Sequence, residues 1–182
     1  MAATRFRVVA ACIGVGGLII DQAVKNIVIA RLDPEHPIPL LGGLITLRLI
    51  RNSGAAFSMG ESFTAVLTVI AIVALAAVAF WAVPRVRHWG WAITMGLLMA
   101  GIAGNLYDRL FREPGPFQGS VVDFIQLPYF AIFNVADMFI TAAAVLVVWW
   151  SMIAQVGLDG ARLTDRRGVS AKDGDDAGSS DG

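Results

Sequence analysis

The sequence predicts an α-helical integral membrane protein with four transmembrane helices and a small extracytoplasmic β-sheet at the outer interface. Hydrophobic residues make up 57% of the 182 residues, charged residues only 15%, and the mean hydropathy is +0.68. A soluble domain carries about a quarter charged residues. The charges are also unevenly placed, since six of the fourteen acidic residues lie beyond position 158. Lipid is therefore the expected solvent for most of the chain.

The four predicted spans follow from the length of the apolar stretches. About 20 apolar residues cross a hydrocarbon core of roughly 30 Å. Stretches of this length lie at about 8–29, 62–83, 89–107 and 133–154. The five tryptophans fall near span ends, where amphipathic rings prefer the interface. The first stretch lacks the Ala-x-Ala cleavage pattern of a secretory signal and continues past position 21, so we predict an uncleaved helix.

The basic residues near span ends predict the orientation. They precede the first span, occupy the turn between the second and third, and follow the fourth: Arg5, Arg7, Arg85, Arg87, Arg162, Arg166, Arg167 and Lys172. By the positive-inside tendency, these regions and both termini are expected to be cytoplasmic. Residues 1–156 then form the transmembrane domain. Residues 157–182, rich in Gly, Asp and Ser, are predicted to be a disordered cytoplasmic tail.

The two longer connections, 31–61 and 108–131, are expected on the outer face. Within them, residues 44–51 alternate between apolar and polar positions like a strand, and residues 119–125 resemble a second one. An open strand edge cannot face lipid because its backbone groups would lose their hydrogen bonds. A small sheet at the outer interface is therefore predicted.

Composition argues against several classes of protein. The net charge is zero and no basic patch is interleaved with aromatic residues, so nucleic-acid binding is not expected. Cys12 is the single cysteine, which excludes an intrachain disulfide and a multi-thiolate metal site. His36 and His88 stand far from any metal-binding spacing. No metal ion is predicted.

Polar residues inside or beside the spans are the functional candidates. A charge at the centre of a spanning helix costs about 2.5–3.5 kcal/mol on insertion scales. Asp21 and Lys25 are four residues apart and therefore share one helix face. Two interpretations stay open: the pair neutralises itself, or one member contacts a polar group of a substrate.

Two further polar segments end a predicted strand and a predicted span. Asn52 follows the first strand, and Gly54 suits a turn. The Asn52 amide either serves that turn or hydrogen-bonds extended backbone. Asn105, Asp108 and Arg109 share a face at the end of the third span. Arg109 either belongs to a site or only extends toward the interface.

Two carboxylates on the outer side form the central candidate. Asp123 lies inside an apolar run without a cationic neighbour, and Asp137 lies one turn after Asn134, which is typical of a helix N-cap. Carboxylates that meet cannot easily both ionise, so they share a proton. The ionised member then activates water, and the protonated member donates to the oxyanion. If Asp123 and Asp137 meet across the outer loop, they form the pair that peptide hydrolysis by an aspartic mechanism requires.

Five ordered elements together resemble the lipoprotein signal peptidases (signal peptidase II) of bacteria, over about residues 8–155. The elements are Asp21…Lys25, Asn52-Ser-Gly-Ala-Ala-Phe57, Gly104-Asn-Leu-Tyr-Asp-Arg109, Val122-Asp123-Phe124 and Phe133-Asn134-Val-Ala-Asp137. The resemblance implies a multi-pass aspartic endopeptidase of the bacterial cytoplasmic membrane, with its active site on the extracytoplasmic side. It would remove the signal peptide from prolipoproteins, cleaving before a diacylglyceryl-modified cysteine.

The resemblance also implies roles for individual residues. Asp123 and Asp137 would be the catalytic pair. The supporting and substrate-binding residues would be Asp21, Lys25, Asn52, Gly54, Asn105, Asp108, Arg109 and Asn134. No metal or organic cofactor is implied. We expect a monomer whose partners are the prolipoprotein and membrane lipids.

Three alternative functions remain open. A small transporter would use the ionisable residues as a proton relay, although they cluster at one interface. A serine peptidase would use Ser53 or Ser58 as nucleophile and Lys25 as base. A passive membrane scaffold would leave Asp123 unexplained.

Overall fold

The computed structural model describes residues 2–54 and 61–162. It contains four long helices and one small antiparallel sheet. The helices are α1 (Ala2–Arg31), α2 (Glu61–Ala76), α3 (Trp89–Phe111) and α4 (Val135–Val148). The strands are β1 (Ile38–Leu40), β2 (Ile45–Asn52) and β3 (Val121–Gln126). A wider π-helical segment, Ala77–Ala82, and a 3-10 turn, Val83–Arg85, extend α2, while a π-helical segment, Trp149–Ile153, extends α4.

Among the described residues, four helical segments are long and apolar enough to cross a membrane. They are Ala3–Arg31, Thr64–Arg85, Trp89–Phe111 and Val135–Ile153. The predicted four-helix membrane fold is therefore confirmed. The fourth helix begins two residues later than the predicted span, because Phe133 pairs with Ile125 in a β-bridge and Asn134 caps the helix.

Helix α3 is the centre of the bundle and packs mainly against α1 and α4. Close packing depends on glycine: a Cβ atom at Gly96 would lie 2.7 Å from Ile13 Cβ, and one at Gly101 would lie 2.5 Å from Ala136 O. Small residues allow such approach where lipid leaves no hydrophobic drive between helices. The outward faces of the other helices carry exposed apolar side chains such as Val73, consistent with lipid contact.

The sheet has the order β1–β2–β3, with all neighbours antiparallel. In its register Ile50 faces Asp123, and an irregularity interrupts the pairing between Leu47 and Ile50. Both predicted strands are present, and β1 is an additional one. Val28 of α1 packs with sheet residues that include Leu49 and Val122, so the sheet rests on the end of α1. We call this the sheet end of the bundle.

The opposite end is closed by the turn after α4. Arg87 N donates to Leu158 O at 2.7 Å, and Trp91 Nε1 donates to Val156 O at 2.9 Å. Arg7 of α1 reaches the same end, where it donates to Pro84 O at 3.1 Å. Of the predicted tail, residues 157–162 form this turn, and residues 163–182 lie outside the described residues.

Candidate active site

Asn134 joins the two candidate carboxylates. As the N-cap of α4, its side-chain oxygen accepts from Asp137 N at 3.1 Å, while its backbone N donates to Asp137 Oδ2 at 3.1 Å. Its Nδ2 donates to Asp123 Oδ1 at 2.6 Å. One fully buried side chain thus links strand β3 to the first turn of α4. Asp123 and Asp137 are thereby held at the same point of the sheet end.

Asn105 of α3 approaches the pair from the other side. Its Oδ1 accepts from Asn134 Nδ2 and from Lys25 Nζ, both at 3.1 Å. Because both donors point at this oxygen, the orientation of the Asn105 amide is fixed. Its Nδ2 therefore faces Asp137 and donates to Oδ1 at 2.7 Å.

The second oxygen of Asp123 is held by Asn52 from β2. Asn52 Nδ2 donates to Asp123 Oδ2 at 2.8 Å, and Asn52 Oδ1 accepts from Gly54 N at 2.9 Å. Gly54 has a φ of 83°, a conformation that favours glycine. The two interpretations of Asn52 are therefore compatible, because its amide closes the turn with one atom and holds Asp123 with the other.

Burial dominates the electrostatics of Asp123, whose side chain is only 3% exposed. Loss of solvent raises the pKa of Asp123 to about 6, although the hydrogen bonds from Asn52 and Asn134 oppose the shift. The negative charge of Asp137 raises this pKa further, and the positive charge of Lys25 lowers it. The protonated form of Asp123 is therefore accessible near neutral pH.

Arg109 adds a positive charge beside the pair. It is half-buried, and its Nη1 donates to Asn105 O at 3.2 Å. Its guanidinium interacts electrostatically with Asp123, Asp108 and Asp137. The side chain therefore belongs to the site and does more than extend toward the interface.

Lys25 is the centre of a buried cluster beneath the pair. Its Nζ lies 2.9 Å from Asp21 Oδ2 and 2.7 Å from Asp108 Oδ2, and all three side chains are 0% exposed. This burial supports the self-neutralising interpretation of Asp21 and Lys25, with Asp108 as a third member. The alternative, contact with a substrate, would require an exposed side chain, and neither Asp21 nor Lys25 has an exposed one.

The carboxylates of this cluster also hold the backbone next to the candidate pair. Asp21 Oδ1 accepts from Ala136 N at 2.9 Å, immediately before Asp137. Asp108 Oδ2 accepts from Val122 N at 3.2 Å, immediately before Asp123. The buried charges thus set the positions of α4 and β3 relative to each other.

An apolar groove of about 640 Å³ opens beside Asp137. Its lining is Leu127, Phe130, Phe133, Asp137, Met138, Thr141 and Ala142. The groove therefore offers apolar surface next to one of the candidate carboxylates. Within residues 2–54 and 61–162, no group of three or more His, Cys, Asp or Glu side chains is placed to hold a metal ion.

Two polar residues of the cluster, Gln22 and Arg112, were not predicted from the sequence. Arg112 Nε donates to Asp108 Oδ1 at 2.7 Å, and Gln22 Nε2 donates to the same oxygen at 3.1 Å. The four-residue spacing between Asp108 and Arg112 is the signal that could have indicated their contact. Gln22 has no comparable signal, because its partners Gly104 and Asp108 are on another helix.

The serine-peptidase alternative depends on Ser53 or Ser58 as nucleophile and on Lys25 as base. Ser53 O accepts a hydrogen bond from the Thr64 hydroxyl, and Lys25 Nζ is engaged with three acceptors in the buried cluster. Ser58 and Phe57 lie outside the described residues.

Comparison with known proteins identifies the family. The family model described as Signal peptidase (SPase) II matches residues 13–153. A lipoprotein signal peptidase of Leifsonia xyli subsp. xyli is 41% identical over 166 residues, which are 90% of this chain and 74% of the relative. That of Streptomyces coelicolor is 44% identical over 130 residues, which are 71% of this chain and 63% of the relative.

The fold has solved counterparts. A structure described as a bacterial membrane enzyme, determined by the in meso method at 1.9 Å resolution, matches with a TM-score of 0.70 and 25% identity. The match covers 79% of this chain and 92% of that one. With the family match over most of the bundle, these findings show that the chain is membrane-embedded and belongs to the signal peptidase II family, the lipoprotein signal peptidases.

Proposed function

We propose that the chain removes the signal peptide from diacylglyceryl-modified prolipoproteins by an aspartic mechanism, with Asp123 and Asp137 as the catalytic pair. Family membership supports the prolipoprotein substrate. The aspartic mechanism is supported by one observation above all: Asn134 forms hydrogen bonds with both carboxylates. The negative charge of Asp137 raises the pKa of Asp123, so the two carboxylates favour different protonation states, which acid–base hydrolysis of a peptide requires.

The two carboxylates differ in environment, and this difference supports separate roles. Asp123 is almost fully buried, and burial raises its pKa to about 6, which favours a proton on this residue. Asp137 is half-buried in the first turn of α4, where the helix dipole stabilises a negative charge. We therefore assign Asp123 as the acid and Asp137 as the base.

In this mechanism Asp137 takes a proton from water as the water oxygen bonds to the scissile carbonyl carbon. Asp123 donates its proton to the carbonyl oxygen, so the intermediate carries no full oxyanion. When the intermediate collapses, the carbon–nitrogen bond breaks and the leaving nitrogen receives a proton from Asp137. One hydroxyl group of the intermediate returns its proton to Asp123 as the carbonyl group re-forms. Asn52 and Arg109 lie beside the pair and are the groups we assign to substrate contact.

The place of the site fits a substrate that is itself in the membrane. The groove beside Asp137 is lined mainly by apolar side chains, which suits an apolar signal peptide or acyl chain. The bundle end opposite the sheet carries Arg7, Arg85 and Arg87, which supports a cytoplasmic location for that end and an extracytoplasmic active site. We propose that the enzyme acts as a monomer.

The proposal is tested with the purified chain and two forms of one precursor, with and without diacylglycerol on its cysteine. Mass spectrometry of the products is expected to show cleavage directly before the lipid-bearing cysteine, and much slower cleavage of the unmodified form. Equal cleavage of both forms, or cleavage elsewhere, would contradict the proposed specificity. Proton flux through vesicles without any cleavage would favour the proton-relay alternative.

A further inference from the structure

Arg112 directly follows α3, and its guanidinium reaches into the buried cluster at the sheet end. Its Nε donates to Asp108 Oδ1 at 2.7 Å. Its Nη2 donates to Gln22 Oε1 and to Asn26 Oδ1, each at 3.0 Å. The Arg112 side chain is 15% exposed and that of Asp108 is 0% exposed. Arg112 therefore enters the cluster from its rim and contacts α1 as well as α3.

The cluster needs this guanidinium for its charge balance. Asp21 and Asp108 bring two carboxylates, whereas Lys25 brings one ammonium group, and all three side chains are fully buried. An uncompensated buried charge is strongly unfavourable because it loses its solvation. Arg112 supplies the second positive charge, so the four side chains balance.

The contact also determines which oxygen of Asp108 faces the sheet. Arg112 holds Oδ1, which leaves Oδ2 to accept from Lys25 at 2.7 Å and from Val122 N at 3.2 Å. Val122 directly precedes Asp123 in β3. The orientation of the Asp108 carboxylate is therefore transmitted to the strand that carries the acid of the pair.

We infer that Arg112 is a positioning residue of the catalytic pair, which acts through Asp108 to hold β3 and so to place Asp123 against Asp137. This inference rests on the proposed function. It gives Arg112 no contact with the substrate, because the hydrogen bonds of its side chain go to three residues of the cluster and its rim. Its loss should therefore affect turnover more than substrate binding.

The test compares Arg112→Gln with Arg112→Lys, which keeps a positive charge next to the Asp108 carboxylate. We expect Arg112→Gln to lower kcat at least about tenfold with little change in KM. Arg112→Lys should keep most of the wild-type kcat. Arg31→Gln, which removes an exposed charge at the end of α1, is the matched control and should keep its kcat.

Wild-type kcat in Arg112→Gln, or an Arg112→Lys variant no more active than Arg112→Gln, would overturn the inference. If Arg112→Gln unfolds in detergent, Arg112→Lys still decides: kcat within about threefold of wild type supports the inference, and a larger loss overturns it. Failure of the proposed function gives a different result, namely cleavage that persists in Asp123→Asn.

Discussion

Asn134 Nδ2 lies 2.6 Å from Asp123 Oδ1, and this contact joins the N-terminus of a membrane helix to a strand of the small sheet. The same residue caps α4 and accepts from Asp137 N. A cap of this kind stabilises a helix by about 1 kcal/mol. Here it also links two carboxylates on different elements. The relative placement of the proposed catalytic pair therefore depends on the helix cap.

The pH dependence of cleavage follows from the pKa of Asp123. Burial raises this pKa from 3.8 to about 6, so Asp123 is protonated below about pH 6 and loses its proton above that value. If Asp123 is the acid, kcat/KM for the lipid-modified precursor should fall as pH rises through about 6. Initial rates between pH 4.5 and 8 would measure this, and a flat profile from 6 to 8 would argue against Asp123 as the acid.

Removing the Asn52 amide should shift the pH profile of kcat/KM. The hydrogen bond from Asn52 stabilises the ionised form of Asp123 and lowers its pKa. In Asn52→Ala the pKa should therefore be higher, and the alkaline limb of kcat/KM should shift to higher pH. Asp33→Asn serves as control, because Asp33 is exposed and pairs with His36 away from the site. A shift to lower pH in Asn52→Ala would contradict the assigned role of this amide.

Gly104 is required for the close approach of α1 and α4 to α3. A Cβ atom at this position would lie 2.6 Å from Asp21 Oδ2 and 2.9 Å from Ala136 Cβ. Gly104→Ala should therefore lower the free energy of unfolding by about 1–3 kcal/mol and reduce activity, because Ala136 precedes Asp137. Gly16→Ala is the matched control, since a Cβ at Gly16 meets nothing within 4 Å. Thermal unfolding in detergent that is equal for both variants would refute this account of the packing.

Two truncated chains test the contributions of the turn after α4 and of the rest of the tail separately. A chain ending at Arg162 should keep both wild-type activity and thermal stability. A chain ending at Gly157 should keep activity but unfold at a lower temperature, because it loses the hydrogen bond from Arg87 N to Leu158 O. A large loss of cleavage in either chain would show that the tail contributes to function.

Local patterns in the sequence predicted the helices, two strands and many of the polar contacts. The four-residue spacing of Asp21 and Lys25 predicted their ion pair, and the sequence around Asn134 predicted a helix cap; both are present. These contacts form within one helix or one turn, so spacing alone determines them.

The convergence of distant elements was not predictable in the same way. Asn52 and Asp123 are 71 residues apart, and Lys25 and Asn105 are 80 residues apart. Their contacts depend on how helices and sheet pack, and a single sequence does not specify this. Gln22 was missed for that reason. Strand β1 was missed because it has only three residues, all of them exposed, and shows no burial pattern.

The most direct test of the central claim is the cleavage rate of a lipid-modified precursor by Asp123→Asn and Asp137→Asn, each measured separately in detergent micelles. The aspartic mechanism predicts that each variant loses cleavage, while Ser53→Ala, Ser58→Ala and the exposed control Asp33→Asn keep it. Each folded variant should still bind the precursor, since only the acid or the base has been removed. Substantial cleavage by either of the two aspartate variants would contradict the assignment of Asp123 and Asp137 as the catalytic pair.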